Sequence, residues 1–308
     1  MPLHGAKRVL SVGIGGGGDV VGALATAEYA RTLGAEAVVG GLTWERRPID
    51  PEPGPRRLDE IAGADVLNEC VALAGPETAT AAAGIPFAES HMARFLGERT
   101  VLVDPNPGPA RVGAALEDAA RRLGCDAVAL VDVGGDALAH GDEPGLASPL
   151  ADAILLGAAR HVDRSLPVVA AVFGAGCDGE LTPAEVLERI AEVAALDGWL
   201  GAYGLSPRTA ARLEAAIAVV PTEASAMAVR CARGARGVTT IRRGRRQVEL
   251  SPVGGLTFFV DPHVAMRTAA RLADAVAGAD SLEDANAILH GLGVRSELDY
   301  EMEMAAAS

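Results

Sequence analysis

Aromatic side chains are scarce in this sequence. Phe, Trp and Tyr make up 3% of 308 residues, so any core must come mainly from Ala, Val and Leu. Basic charge is also short: 27 Lys and Arg stand against 41 Asp and Glu, a formal net charge of -14. That balance argues against the broad basic surface on which general nucleic-acid binding relies. No run of about eighteen apolar residues occurs, which argues against a helical membrane span. The opening "MPLHGAKRVL" lacks the apolar stretch of a secretory signal. Cys70, Cys125, Cys177 and Cys231 are scattered with no C-x-x-C pair, as expected of reduced thiols and not of a disulfide framework or zinc site. The expectation is an acidic, soluble, cytoplasmic protein with neither nucleic acid nor membrane as partner.

What is present is glycine, 37 residues of it, and an alternation of apolar runs with helix-spaced stretches. "RVLSVGI", "AEAVVGGL", "TVLVD", "DAVALVD" and "PVVAAVFG" are apolar on both faces and rich in branched residues. Strands of a parallel sheet covered on two sides have that character. Helical stretches such as "ARVGAALEDAARRLG" and "SPLADAILLGAARHV" separate them, and "TPAE" at Thr182 has the form of a capping box. The predicted fold is a Rossmann-like, three-layer α/β open sheet, mostly parallel, within a single domain over 1–308. Residues 1–200 form its core. Residues 201–308 form an extension in which "GVTTIRRGRRQVELSPVGGLTFFVD" reads as a hairpin with a third strand, among helices.

The stretch "SVGIGGGGDVVGAL" joins the first strand to the first helix. Backbone N–H groups and a helix N-terminus meet there, so Gly15, Gly16, Gly17 and Gly18 are candidates to cradle an anion. Gly13, Gly15 and Gly18 also satisfy G-x-G-x-x-G, the dinucleotide fingerprint. That fingerprint wants an acid closing the second strand. Glu36 precedes the strand and Glu45 lies well beyond it, which weakens the NAD(P) reading. The plainer alternative is that the glycines permit close helix–strand packing.

Ligands of open parallel sheets bind beyond the carboxyl ends of the strands. All five loops there should share one edge, offering Asp19, Glu45, Asp104, Asn106, Asp132, Asp136, His140, Glu143, Cys177, Asp178 and Glu180. Asp132 and Asp136, with Gly134 and Gly135 between them, are candidates to hold Mg2+, to bind ribose hydroxyls or to act in proton transfer. Asp19 and Glu143 are candidate general bases, and His140 sits among carboxylates that would raise its pKa. Asp178 and Glu180 are candidate ligand contacts, whereas Cys177 is expected to be a buried, inert thiol. Trp44 could stack on a base, with Glu45 beside it and Arg46 holding a phosphate; a pinned surface loop is the alternative. "RRGRR" from Arg242 to Arg246 reads as a solvated hairpin turn, or as an anion-steering lid, and His263 as a helix-start residue.

The segments "GIGGGGDVVGA", "WERRPIDPEPGP", "DVGGDALAHGDEPGLASPLAD" and "GAGCDGEL" resemble the domain-of-unknown-function family 1152 (DUF1152) over most of the chain. The resemblance implies an α/β fold and supplies no activity. From the residues, the expected function is an enzyme for a nucleotide, nucleoside or phosphorylated sugar, catalysing hydrolysis or group transfer at a sugar or phosphate centre. The alternatives are an NAD(P)-dependent oxidoreductase and a non-catalytic metabolite-binding or regulatory protein. Assembly into a homo-oligomer stays open.

Overall fold

In the computed structural model, which describes residues 3–307, the first apolar run forms β1 (Arg8–Gly13), buried from Val9 onward. Then come α1 (Val20–Thr32), β2 (Glu36–Leu42), β3 (Ile61–Val66), β4 (Val71–Thr80), α2 (Ala88–Leu96) and β5 (Thr100–Val103). The middle of the chain carries α3 (Pro109–Arg122), β6 (Ala127–Val133), α4 (Pro149–Ala158), β7 (Val168–Phe173) and α5 (Pro183–Ala194). β8 (Trp199–Gly204), α6 (Pro207–Ile217), α7 (Ala224–Ala232), β9 (Gly237–Ile241), β10 (Arg246–Leu250) and β11 (Leu256–Val260) follow. The chain closes with α8 (Pro262–Arg267), α9 (Arg271–Val276), α10 (Leu282–Gly291) and α11 (Glu297–Ala306).

Nine strands make one sheet in the order β3-β4-β5-β2-β1-β6-β7-β11-β8. β5, β2, β1, β6 and β7 run parallel, so their carboxyl ends share an edge. The chain builds outward from β1 through β2 to β5, then returns to place β6 on the other side of β1. The β1/β6 boundary is therefore the switch point of a Rossmann-like α/β sheet, where the two following loops diverge and leave a crevice. Helices cover both faces. One core joins the sheet to α3, α4, α9 and α10; the other joins it to α1, α6 and α7. All ten residues of α4 are buried, and its N-terminus follows the loop that leaves the carboxyl end of β6. Among the described residues, no helix is long and apolar enough to cross a membrane.

Two expectations change. The hairpin β9–β10 stands as a separate two-stranded ribbon, and β11 leaves it to pair antiparallel with β7 and β8 inside the main sheet. The cause is apolarity: "LTFFV" buries every residue after Leu256, as an interior strand must, whereas β9 exposes most of its length. No structural break falls at residue 200, because β8 spans it and β11 lies between β7 and β8. β3, β4 and β8 are not among the expected strands; β3 and β8 lie largely exposed at the two edges of the sheet, with β4 beside β3.

β11 ties the chain's last third to its first helix. Phe259 is fully buried, with its ring 5.1 Å from that of Tyr29 on α1. Phe259→Ala should cost about 3–5 kcal/mol in denaturant unfolding, the usual price of truncating a buried Phe. A loss under about 1 kcal/mol would mean that β11 is peripheral to the core.

Candidate functional site

The switch point gathers acids from four segments of the chain. Asp19 ends the turn after β1, Asp132 lies near the end of β6, and Asp136 opens the turn after it. Asp152 belongs to the first turn of α4, and Asp178 and Glu180 to the loop between β7 and α5. Carboxylate oxygens of Asp19, Asp132 and Asp152 lie within 4.8 Å of one another, as do those of Asp136, Asp178 and Glu180. Asp19 is partly exposed and the other five are buried.

Carboxylates this close and this dry resist ionisation. Burial, and then the charge of Asp132, pushes Asp19 up to about 8; burial pushes Asp132 up to about 7. Asp136, Asp152 and Asp178 are raised well above the ordinary carboxylate value, again chiefly by burial and then by neighbouring acids. Hydrogen bonding does little to relieve them. Among the described residues, Asp152 Oδ1 and both oxygens of Asp178 are buried without a partner. Asp132 accepts long bonds, 3.3 Å each, from the Gly135 and Ala137 amides, and its side chain is hydrogen-bonded to that of Asp136.

Glu180 differs. Its oxygens accept from the Ala147 and Ser148 amides at 2.7 and 2.8 Å, from the Ser148 hydroxyl and from Arg246 Nη1 at 2.7 Å. Its capacity is spent on holding the loop before α4, so it is an anchor and not the ligand contact expected of it.

The glycine loop also departs from expectation. Gly15 N–H donates to Asp19 Oδ2 at 2.9 Å and Gly17 N–H to the Trp44 carbonyl at 3.1 Å, so these amides are not available to cradle an anion. The glycines make room for the protein's own side chains. A Cβ at Gly15 would lie 2.6 Å from Asp19 Oδ2 and 3.0 Å from Asp152 Oδ2; at Gly16, where φ is 101°, it would lie 2.8 Å from Arg46 Nε. Gly17 borders Glu45 and Gly18 borders Thr222 in the same way. Gly134, with φ 137°, admits the Asp178 carboxylate, and Gly135 admits Val186. Close approach was the right physical reason for these glycines, but the approaching group is a carboxylate, a guanidinium or a packed side chain.

Trp44 is fully buried and donates Nε1–H to Glu301 Oε2 at 3.0 Å, which removes it as a platform for a base. Arg46 lies over its ring, 4.1 Å from the centroid, and Nη2 donates to the Gly15 carbonyl and to Glu297 Oε1. Nη1 of Arg46 is buried without a partner among the described residues. Glu45 is buried, accepts the Ala88 amide at the start of α2, and is raised to about 7 chiefly by burial. Asn106 is turned inward, donating Nδ2–H to Asp104 and to the Pro55 carbonyl, as a loop brace does.

His140 and Glu143 form a separate group with Asp142. Glu143 accepts the His140 and Gly141 amides and pairs with Arg189 Nη2 at 3.2 Å. Burial opposes its ionisation, but these amides and Arg189 outweigh it and hold its pKa below the ordinary value. A carboxylate so satisfied is a poor base. His140 Nε2 is occupied by Glu192 on α5 at 2.9 Å. Cys177 is buried as expected, with its sulfur close to Gly254 alongside that of Cys231. The His263 amide is capped by Asp261 at the start of α8.

The family profile described as "Protein of unknown function (DUF1152)" matches residues 10–305. The chain belongs to DUF1152. No curated protein matches it. The matched span of this DUF1152 chain holds every acid of the cluster. Sequence reasoning missed Asp152, Glu89 and Arg246. Asp152 had a signal, since an acid in the first turn of a helix following β6 must lie at the crevice edge. Glu89 had none: it is fully buried on α2, both oxygens lack a partner among the described residues, and Oε1 abuts Gly41. Arg246 was read as part of a solvated turn, yet it turns inward to pair with Glu180 while Arg242, Arg243 and Arg245 stay exposed.

That split is measurable. Ser in place of Arg242, Arg243 and Arg245 should shift stability by no more than about 0.5 kcal/mol, as surface changes do. Arg246→Ser should cost about 2–3 kcal/mol, somewhat less than breaking a fully buried pair. Equal effects in the two variants would dissolve the distinction.

The raised acids also set a pH dependence. Unfolded, Asp ionises near about 4; folded, Asp19 and Asp132 ionise near 8 and 7. The native state therefore holds extra protons between those limits, and stability falls as pH rises through the window. The groups facing them are Asp136, Asp152, Asp178, Glu180, Arg46 and Arg246. In chelator, melting temperature should be lower at about pH 8 than at about pH 6. A flat or rising profile would show that the cluster ionises freely.

Proposed function

We propose that this DUF1152 chain is a divalent-cation-dependent enzyme acting on a nucleotide, nucleoside or sugar phosphate, by hydrolysis or group transfer at a sugar or phosphate centre. The observation that carries the reading is the Asp19–Asp132–Asp152 set at the switch point, with Asp152 Oδ1 buried and unpartnered. Crowded carboxylates away from water need either protons or a cation. The donors are carboxylate oxygens alone, which suits Mg2+, Mn2+ or Ca2+ and not zinc. Such a cation keeps positions open for substrate phosphate. It would therefore hold the anion that the Gly15 and Gly17 amides, already bonded within the protein, are not free to hold.

Asp19 falls within this ligand set, which leaves it no separate role as a general base. Asp132 and Asp136 remain at the centre of the proposal, joined by Asp152 and Asp178. The hydride-transfer alternative is the weaker reading, because two loop amides are taken and Glu45 is bound to the Ala88 amide. A cytoplasmic location belongs to the same proposal: Cys70, Cys125, Cys177 and Cys231 are all free, buried thiols, as a reducing compartment maintains.

The test is a cation titration of metal-stripped protein followed by ligand. Mg2+ or Mn2+ at a hundred times its Kd should add about 2.7 kcal/mol of stability. AMP or ribose 5-phosphate should bind more tightly once the cation is present. Asp132→Asn should weaken cation binding by at least the roughly 10–100-fold seen for supporting shells, with turnover falling alongside. Absence of cation binding in the folded wild type would refute the reading, and binding without turnover would turn it toward a metabolite sensor.

A further inference from the structure

We infer that the cluster is built for two divalent cations sharing Asp132, one held by Asp19, Asp132 and Asp152 and the other by Asp132, Asp136 and Asp178. This rests on the cation reading above and goes further by fixing the number of ions, their ligands and the ligand class that spans them.

Three observations support two sites. Unpartnered buried oxygens occur in both halves of the cluster: Oδ1 of Asp152, 2% exposed, and both oxygens of Asp178, 5% exposed. These two residues fall in different close sets, so one ion at either set leaves the other orphan unserved. Next, Asp132 lies between the halves. It acts on Asp19 and Asp152 on one side and on Asp136 and Asp178 on the other, is hydrogen-bonded to the Asp136 side chain, and receives only long bonds from backbone amides. With Glu180 saturated by its four donors, Asp132 is the carboxylate left to complete the second set.

Charge supplies the third. Asp19, Asp132, Asp136, Asp152 and Asp178 carry five negative charges when ionised. One divalent ion leaves three of these uncompensated, and two ions leave one. Each half also has a guanidinium on its flank: Arg46 acts on Asp152, and Arg246 on Asp178 and Asp136. Paired ions bridged by a carboxylate sit roughly 3.5–4 Å apart in two-metal sites generally, close enough for one phosphate group to give an oxygen to each. The geometry therefore points to a phosphate-bearing ligand that engages both ions.

Mn2+ binding to the full chain, followed by calorimetry and electron paramagnetic resonance, tests this without reference to activity. The wild type should bind two Mn2+ per chain and show an exchange-coupled spectrum. Asp178→Asn and Asp152→Asn should each retain one Mn2+ with an isolated-ion spectrum; Asp136→Asn serves in place of Asp178→Asn should that variant not fold. Inorganic phosphate should tighten Mn2+ binding in the wild type by at least about fivefold, the lower end of ordinary coupling between sites. One Mn2+ in the wild type, or two in either Asn variant, would overturn the paired site while leaving a cation-dependent enzyme intact. No Mn2+ at all would remove both.

Discussion

Mutual repulsion among buried carboxylates is the constraint around which this structure is organised. Five aspartates at the β1/β6 edge are held closer than water-exposed acids would settle, and the surrounding chain keeps them there. Glycines at 15 and 134 supply the volume, since a Cβ at either would strike an Asp carboxylate. The Gly15 and Val133 amides restrain Asp19, and the buried body of α4 fixes Asp152. A protein folding for stability alone would replace such a cluster with apolar side chains. Its retention is physically intelligible if a cation belongs in it.

The same edge explains the role of the last helix. Glu297 accepts the Leu150 and Ala151 amides at the start of α4, each at 3.0 Å, and pairs with Arg46. Glu301 accepts Trp44 Nε1–H and the Gly54 amide. α11 thus ties the loop after β2 to the helix that carries Asp152, and satisfies helix-terminal amides that would otherwise lack a partner. Arg46 stands where these lines cross, stacked on Trp44 and bridging the glycine loop to α11. The N- and C-terminal parts of the chain are thereby coupled through polar contacts at the site as well as through Phe259 in the core.

Much of the fold was legible. The five parallel strands announce themselves as runs apolar on both faces, and their common direction follows from the intervening helices; their order in the sheet came only with the structure. Asp132, Asp136, Asp19 and Asp178 were legible as edge residues because a parallel sheet sends every following loop to the same side. Their partners were harder to see. Glu180 and Glu143 have the same local appearance as Asp178, and only the count of donors around each shows them to be occupied. Arg246 follows three exposed arginines of the hairpin turn, and only its place as the first residue of β10, paired with Ile241, and its contact with Glu180 set it apart.

The sequence alone determined the α/β class, the edge at which acids collect and the need for bare backbone at the glycine loop. These follow from local patterning and strand polarity, both carried by short stretches of chain. Tertiary structure decided what the glycines are bare for, and which acids are free to bind. Those answers rest on contacts between residues far apart in sequence, such as Gly15 with Asp152, Glu180 with Arg246 and Arg46 with Glu297. No local pattern encodes them, because each partner is brought into place only when the whole sheet closes.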